Sequence, residues 1–295
     1  MEPSEVVNQK LRQTQRMKSL YKALKPKTDT ILISTKYLKS FRVREAAPID
    51  LENSSQKIGS GPRIFKPMSQ ETYDGLPKPE ITELSFEKDR LTPDDANTTV
   101  IFHALLKHLG DPALCPDSPN RLLNFSTWDR VCRPFLRIQK DGVRPHVIVF
   151  PTHGLYLDEK PELETHYTRS EILVISQVLE SRLPKAQFYY HEVIPLLMIS
   201  IFNHEVRIIQ AHMEADVLCL RRSPFIDLQK FDPHKFGLII RWILSKPTGG
   251  SWYTPEPRTP KAWSDISENK ILTLTPKPKP PLVHRKDLDR VRKMR

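Results

Sequence analysis

Cysteine, glycine and long apolar runs are all scarce in this chain, and each scarcity removes a class of function. Cys115, Cys132 and Cys219 are the 3 cysteines of 295 residues, an odd number, widely spaced and without a CxxC pair. That pattern argues against a disulfide framework and against a structural zinc module, and for a reducing compartment. With 9 glycines, phosphate-cradling loops are hard to build, and neither G-x-G-x-x-G nor a P-loop occurs. Ser170, Ser176 and Ser200 lack the G-x-S-x-G setting of a nucleophile elbow. The longest apolar run, Val193 to Phe202, contains Pro195 and Ser200. It is about half the ~20 residues needed to span a bilayer. Met1-Glu2-Pro3-Ser4 starts no apolar signal region, so the expectation is an intracellular protein of the nucleus or cytoplasm.

What the chain does have is positive charge, unevenly placed. The net charge is +11, with 11 Lys/Arg against 5 Asp/Glu in residues 1–50 and again 11 against 5 in residues 251–295. The 200 residues between carry 24 basic and 25 acidic groups. A nearly neutral body with basic ends predicts attachment to an acidic partner, nucleic acid or protein. The 27 prolines point to stiff, extended connections.

Local signals divide the chain. Residues 1–47 read as a basic arm with an amphipathic helix over Glu5 to Lys25, carrying Met17, Leu20, Tyr21 and Leu24 at i, i+3, i+4 and i+7. Weak strand character follows over Thr30 to Val43. Residues 48–91 read as linker, with Gly59-Ser60-Gly61-Pro62 and Pro77-Lys78-Pro79. Residues 92–250 read as one globular α+β domain, and 251–295 as a disordered Pro/Lys-rich basic tail. Thr92-Pro93-Asp94-Asp95 starts a predicted helix to Leu109, and Ser126-Thr127-Trp128-Asp129 a second ended near Pro134. His146 to Phe150 is a predicted buried strand. Thr168-Arg169-Ser170-Glu171 is a capping box ahead of the stripe Ile172, Ile175, Leu179. Strand-like segments run over Phe188–Tyr190, Ile194–Phe202, Val206–His212 and Val217–Arg221, with turns at Asn203-His204 and Glu214-Ala215. Asp232-Pro233 then caps a helix with Phe236, Ile239, Ile240 and Ile243. The expected architecture is helix, antiparallel β-meander, helix, with the helices covering one sheet face.

If the hairpins close at those turns, Gln210 lies between Leu197 and Cys219, and His212 between Pro195 and Val217. Alternation then puts Gln210, His212, Cys219 and Arg221 on an amphipathic face, and Ile209, Ala211, Leu218 and Leu220 on the core face. Gln210, His212 and Arg221 are the candidate binding set. Arg221 offers a fixed fork of donors and His212 one more, which suits an anion. His191-Glu192, His204-Glu205 and His212-Met213-Glu214 have no HExxH spacing, and neighbours on a strand face opposite ways, so no metal site is predicted.

Helix, three strands and helix is also the core order of PD-(D/E)XK nucleases. The nearest match to their catalytic set is Glu192 with Glu205-Val206-Arg207, and Glu171 on the preceding helix. There Mg²⁺ held by the carboxylates would activate water at a phosphodiester. Arg207 in place of the lysine stays protonated and cannot be a tunable base, so a degenerate, inert member fits better. In the tail, Thr275 to Pro281 favours a polyproline II spacer carrying Arg290, Arg292, Lys293 and Arg295 away from the body, as a nuclear localisation signal or phosphate-binding cluster would require.

The segments Val193–Ser200, Val206–His212, Leu220–Ser223, Phe236–Trp242 and Pro247–Gly250 together resemble a recurrent pattern in uncharacterised filamentous-fungal intracellular proteins, over about residues 145–250. The resemblance implies a fungal protein of an accessory or secondary-metabolite gene cluster, and brings no catalytic residues. The expected function is therefore a non-enzymatic α+β module whose basic arms bind an acidic partner, with no cofactor. The alternative is the nuclease-like phosphodiesterase, which alone would need Mg²⁺.

Overall fold

Side-chain caps set the two best-defined helix starts. Thr168 accepts the Glu171 amide while Glu171 accepts the Thr168 amide, which closes the expected capping box. Asp232 accepts the amides of His234 and Lys235 ahead of Pro233 at the first helical position. The computed structural model describes residues 3–27, 31–52, 64–75, 135–138, 145–153, 161–189 and 191–248. In chain order the elements begin with α1 (Pro3–Leu24), β1 (Leu32–Ile33), α2 (Thr35–Ser40), β2 (Val43–Glu45), β3 (Phe65–Lys66) and α3 (Gln70–Asp74). Next come β4 (Phe135–Ile138), β5 (Val147–Phe150), β6 (Thr152–His153), β7 (Tyr167–Thr168) and α4 (Arg169–Arg182). Last are β8 (Leu196–Phe202), β9 (Glu205–Glu214), β10 (Val217–Arg222), β11 (Ile226–Asp227), α5 (Pro233–Ile243) and β12 (Lys246–Pro247).

The fold is α+β around one sheet of order β2-β10-β9-β8-β5-β4, with β11 on β9 and β6 on β8. Strands β8, β9 and β10 form the expected antiparallel meander. The whole sheet is mixed, because β2 lies parallel to β10, and β5 parallel to β8. The first hairpin pairs Phe202 with Glu205 as expected, and Asn203 turns it with φ 48°. The second pairs Glu214 with Val217, so its turn is Ala215-Asp216, with Ala215 at φ 48°, and not Glu214-Ala215. The register therefore moves by two residues: Gln210 faces Arg221 and His212 faces Cys219. A shift of two keeps every side chain on its face, where a shift of one would have exchanged them.

Both faces of the sheet are cores. On one, Met198, Ile209, Ala211 and Leu220 pack against Met17, Leu20 and Leu24 of α1 and Ile172, Ile175 and Leu179 of α4. On the other, Leu197, Ile199, Val206 and Ile208 pack against Phe236, Ile239, Ile240 and Ile243 of α5. Helices thus flank the sheet on both sides instead of covering one. The physical sign is β8, buried at all 7 positions, as a strand covered on both faces must be.

Further differences concern the domain limits. The described residues of the expected arm, 1–47, pack on the body: Val6, Val7, Met17, Leu20 and Leu24 are buried, and β2 pairs along a sheet edge. Within the expected linker, Ile49, Ile64, Phe65 and Tyr73 join the α5 core, and β3 pairs with β12. The strand character expected over Thr30 to Val43 resolves, from residue 31 on, into β1, α2 and β2. Phe188, the first residue of the strand expected over Phe188–Tyr190, instead closes a 3-10 turn that begins at Ala186. The helices expected over 92–109 and 126–134, and the tail over 251–295, lie outside the described residues. No described helix is long and apolar enough to cross a membrane.

Candidate binding site on β9 and β10

The polar end of the α5-side face is assembled from three strands. His212 and Cys219 are cross-strand neighbours on β9 and β10, and Cys219 is in register with Arg44 on parallel β2, so the three form a row across the sheet. Glu214, two positions beyond His212, is on the same face by alternation. The Arg44 guanidinium binds the Glu214 carboxylate and donates to Cys219 Sγ at 3.1 Å, while Cys219 Sγ donates to Glu214 Oε2 at 3.4 Å. His212, Glu214 and Cys219 hold one donor atom each within 4.8 Å of one another. Cys219 and His212 are 2% and 8% exposed, whereas the Arg44 and Glu214 side chains are 57% and 50% exposed. The cluster is dry on the sheet side and open at its rim.

Burial governs its charges. The His212 imidazole is pushed down to about 4 by desolvation, opposed by Glu214 and reinforced by Arg44 and Arg221, so it is neutral at pH 7. Burial raises the Cys219 thiol, and Arg44 only partly offsets that. Buried His212 Nε2 and Gln210 Oε1 make no hydrogen bond in the structure.

The expected binding set is brought to one face, where Arg221 turns to backbone partners. Arg221 donates through Nε to Ala47 O at 2.8 Å and through Nη2 to Pro48 O at 3.1 Å. Through these two bonds it pins residues 46–49 over the sheet edge, where Ile49 N also bonds Arg222 O. Arg221 is a structural residue. Gln210 and His212 share their face of the sheet with Arg44 and Glu214. Glu214 could have been read from its i, i+2 relation to His212. Arg44 could not, since its strand lies about 170 residues away and pairs in parallel.

The nuclease-like set does not converge. Glu192 is exposed and precedes β8 by four residues, while Glu205 pairs with Phe202 at the far end of β8. Six strand steps of roughly 3.3 Å separate those ends, far beyond a shared ion. Arg207 is buried and forms a two-pronged pair with Glu171, through Nε to Oε1 at 2.8 Å and through Nη2 to Oε2. Ser200 donates to Glu171 Oε1 at 2.7 Å, and His153 bridges Ser200 and Ser170 at 2.8 and 2.9 Å. Burial drives the Glu171 carboxyl up, but Arg207, with help from His153 and the Thr168 amide, holds it below the usual carboxylate range. Glu171 is thereby a permanent counter-ion with no free lone pair for catalysis. Nothing in the spacing of His153, Ser170, Glu171 and Ser200 announces this network.

A second polar surface runs along the outer side of α1 and over α2. Arg12, Lys18, Lys22, Lys25, Lys27, Lys36, Lys39, Arg42 and Arg44 are all exposed, and Glu5 is the only acid among the described residues from 3 to 44. Tyr21, Tyr37 and Phe41 are half-buried beneath them. Lys27 Nζ lies 4.1 Å over the Tyr37 ring, Tyr37 and Phe41 rings are 5.2 Å apart, and Lys25 Nζ is 5.6 Å from the Tyr21 ring. Beside them a cavity of about 510 Å³ opens between Lys39, Glu45 and Tyr167. The tail cluster Arg290, Arg292, Lys293 and Arg295 lies outside the described residues. Comparison with protein-family models, with curated proteins and with solved structures yields no match to this chain.

Proposed function

We propose that the protein is a non-enzymatic nucleic-acid-binding module, whose acidic partner is a phosphate backbone met by the surface of α1 and α2. The observation that carries the reading is the run of exposed Lys and Arg interleaved with half-exposed Tyr21, Tyr37 and Phe41. Lys18, Lys22 and Lys25 follow i, i+4, i+7 spacing opposite the buried stripe of α1, so they present charge without costing the core anything. Aromatic rings among bases of this kind favour nucleic acid over an acidic protein, because unpaired bases stack on such rings while carboxylates gain nothing from them. The basic tail ending in Arg290, Arg292, Lys293 and Arg295 adds phosphate contacts of the same kind.

The test is fluorescence anisotropy of the full chain with labelled single-stranded DNA and RNA across a salt series. Tight binding that weakens linearly in log salt is expected, and Lys18→Glu/Lys22→Glu/Lys25→Glu should lower affinity at least tenfold and flatten the slope by about two to three counterions. Unchanged affinity and slope in that variant would sink the reading.

A further inference from the structure

We infer that His212, Glu214 and Cys219 form a site for one thiophilic divalent cation, Zn²⁺ first among them, and that Arg44 guards it. Three observations converge on an ion. The donor set is an imidazole, a carboxylate and a thiol, the combination that borderline-soft zinc accepts and that leaves a fourth position for water. The spacing is also right: Cys219 Sγ and Glu214 Oε2 are 3.4 Å apart. In a tetrahedral centre with Zn–S near 2.3 Å and Zn–O near 2.0 Å, that edge is about 3.5 Å. The histidine supplies the third, independent sign. His212 is 8% exposed, its Nε2 is buried without a hydrogen bond, and its donor atom already lies within 4.8 Å of the other two. A buried ring nitrogen without a partner is an uncompensated polar atom, and a metal bond is one way to complete it.

Arg44 competes with an ion for the cluster. Its guanidinium touches both Glu214 and Cys219, the place a cation would take. At 57% exposure the Arg44 side chain can swing into water at small cost. On ion binding, Cys219 loses its thiol proton to solvent and the thiolate becomes a ligand. The bonds tie β9 to β10 at the His212–Cys219 pair, two pairs in from the end of the hairpin. Spacing along the chain predicts no metal here, whereas Cys219 is the neighbour of His212 across the hairpin.

Cobalt(II) is the probe, since a thiolate ligand adds a charge-transfer band in the near ultraviolet and a tetrahedral field strengthens the visible bands. The full chain, reduced and stripped of metal, should bind one Co²⁺ per chain with both features, and Zn²⁺ should displace it. Cys219→Ser should abolish the near-ultraviolet band, and His212→Ala should lower Co²⁺ affinity at least tenfold, with circular dichroism confirming that each variant folds. Arg44→Met, which removes the competing charge without touching a ligand, should tighten Co²⁺ binding by about tenfold. A band that survives Cys219→Ser would put the ion on Cys115 or Cys132 and overturn the proposal. So would absence of binding in both the wild type and Arg44→Met, whose fold does not depend on removing a buried group.

Discussion

Arg207 carries a full charge at zero exposure, and so does Glu171 opposite it. Taking both out of water costs several kcal/mol each, offset by their pairing and by the bonds from Arg207 to Leu163 O and His166 O at 2.8 and 3.0 Å. Removing either partner strands the other. Glu171→Gln and Arg207→Met should each lower stability by about 3–5 kcal/mol in urea unfolding, and the double variant should lose less than their sum. Strict additivity would mean the pair is not coupled. Lys10 is a second buried cation, donating to Glu192 O at 3.0 Å, and burial drops its pKa from 10.5 to about 7 against the pull of Glu192. The folded state therefore holds fewer protons than the unfolded one between pH 7 and 10.5. Stability should rise with pH across that window, by at most about 1.4 kcal/mol per pH unit, and be lost as pH falls through 7. Melting curves of Lys10→Met should be flatter than wild type over the same window. Parallel profiles would show that Lys10 is solvated.

At the scale of elements, α1 decides where the molecule ends. Its stripe of Met17, Leu20 and Leu24 is legible in the sequence, but the same stripe suits a free amphipathic helix. What docks it is remote: Lys10 and Gln13 donate to backbone carbonyls of Glu192 and Ala215, 182 and 202 positions later. No local pattern encodes contacts over that span. Local encoding did suffice for the capping box of α4, the Asp232 cap of α5 and the β8–β9 register, each settled by residues a few positions apart. Val6, Val7, Met17, Leu20 and Leu24 are all buried, and at about 1.5–3 kcal/mol for each side chain their burial rivals the roughly 5–15 kcal/mol that holds a whole domain folded. Deleting residues 1–27 should thus abolish the cooperative thermal transition and leave a species that binds hydrophobic dye. A truncated chain that melts as sharply as the full one would return α1 to the status of an arm.

For the whole molecule the consequence of a doubly covered sheet is cooperativity. Strands β8 and β9 contribute Met198 and Ile209 to the core under α1 and α4, and Ile199 and Ile208 to the core under α5. Alternating residues of the same strands belong to different cores, so neither layer can melt without stripping a face from strands the other needs. The sequence shows β8 as a continuous apolar run, which is consistent with burial on both sides. It cannot show which helices lie on which side, because α1 and α5 are separated by more than 200 residues. Leu20→Ala in α1 and Ile239→Ala in α5 probe the two layers, and both side chains are fully buried. Each should cost about 2–5 kcal/mol, from lost burial plus the cavity left behind. They belong to different cores on opposite sides of the sheet, so the double variant should lose the sum within roughly 0.5 kcal/mol. The decisive observable is the shape of the transition, followed by circular dichroism and by tryptophan fluorescence in the same urea series. With Trp128, Trp252 and Trp263 replaced by Phe throughout, the remaining Trp242 packs in the α5 core and reports that layer, whereas far-ultraviolet dichroism sees every helix. Coincident curves in Leu20→Ala would establish one cooperative unit. A variant in which the dichroism falls while the fluorescence holds would divide the molecule into two layers that fold separately.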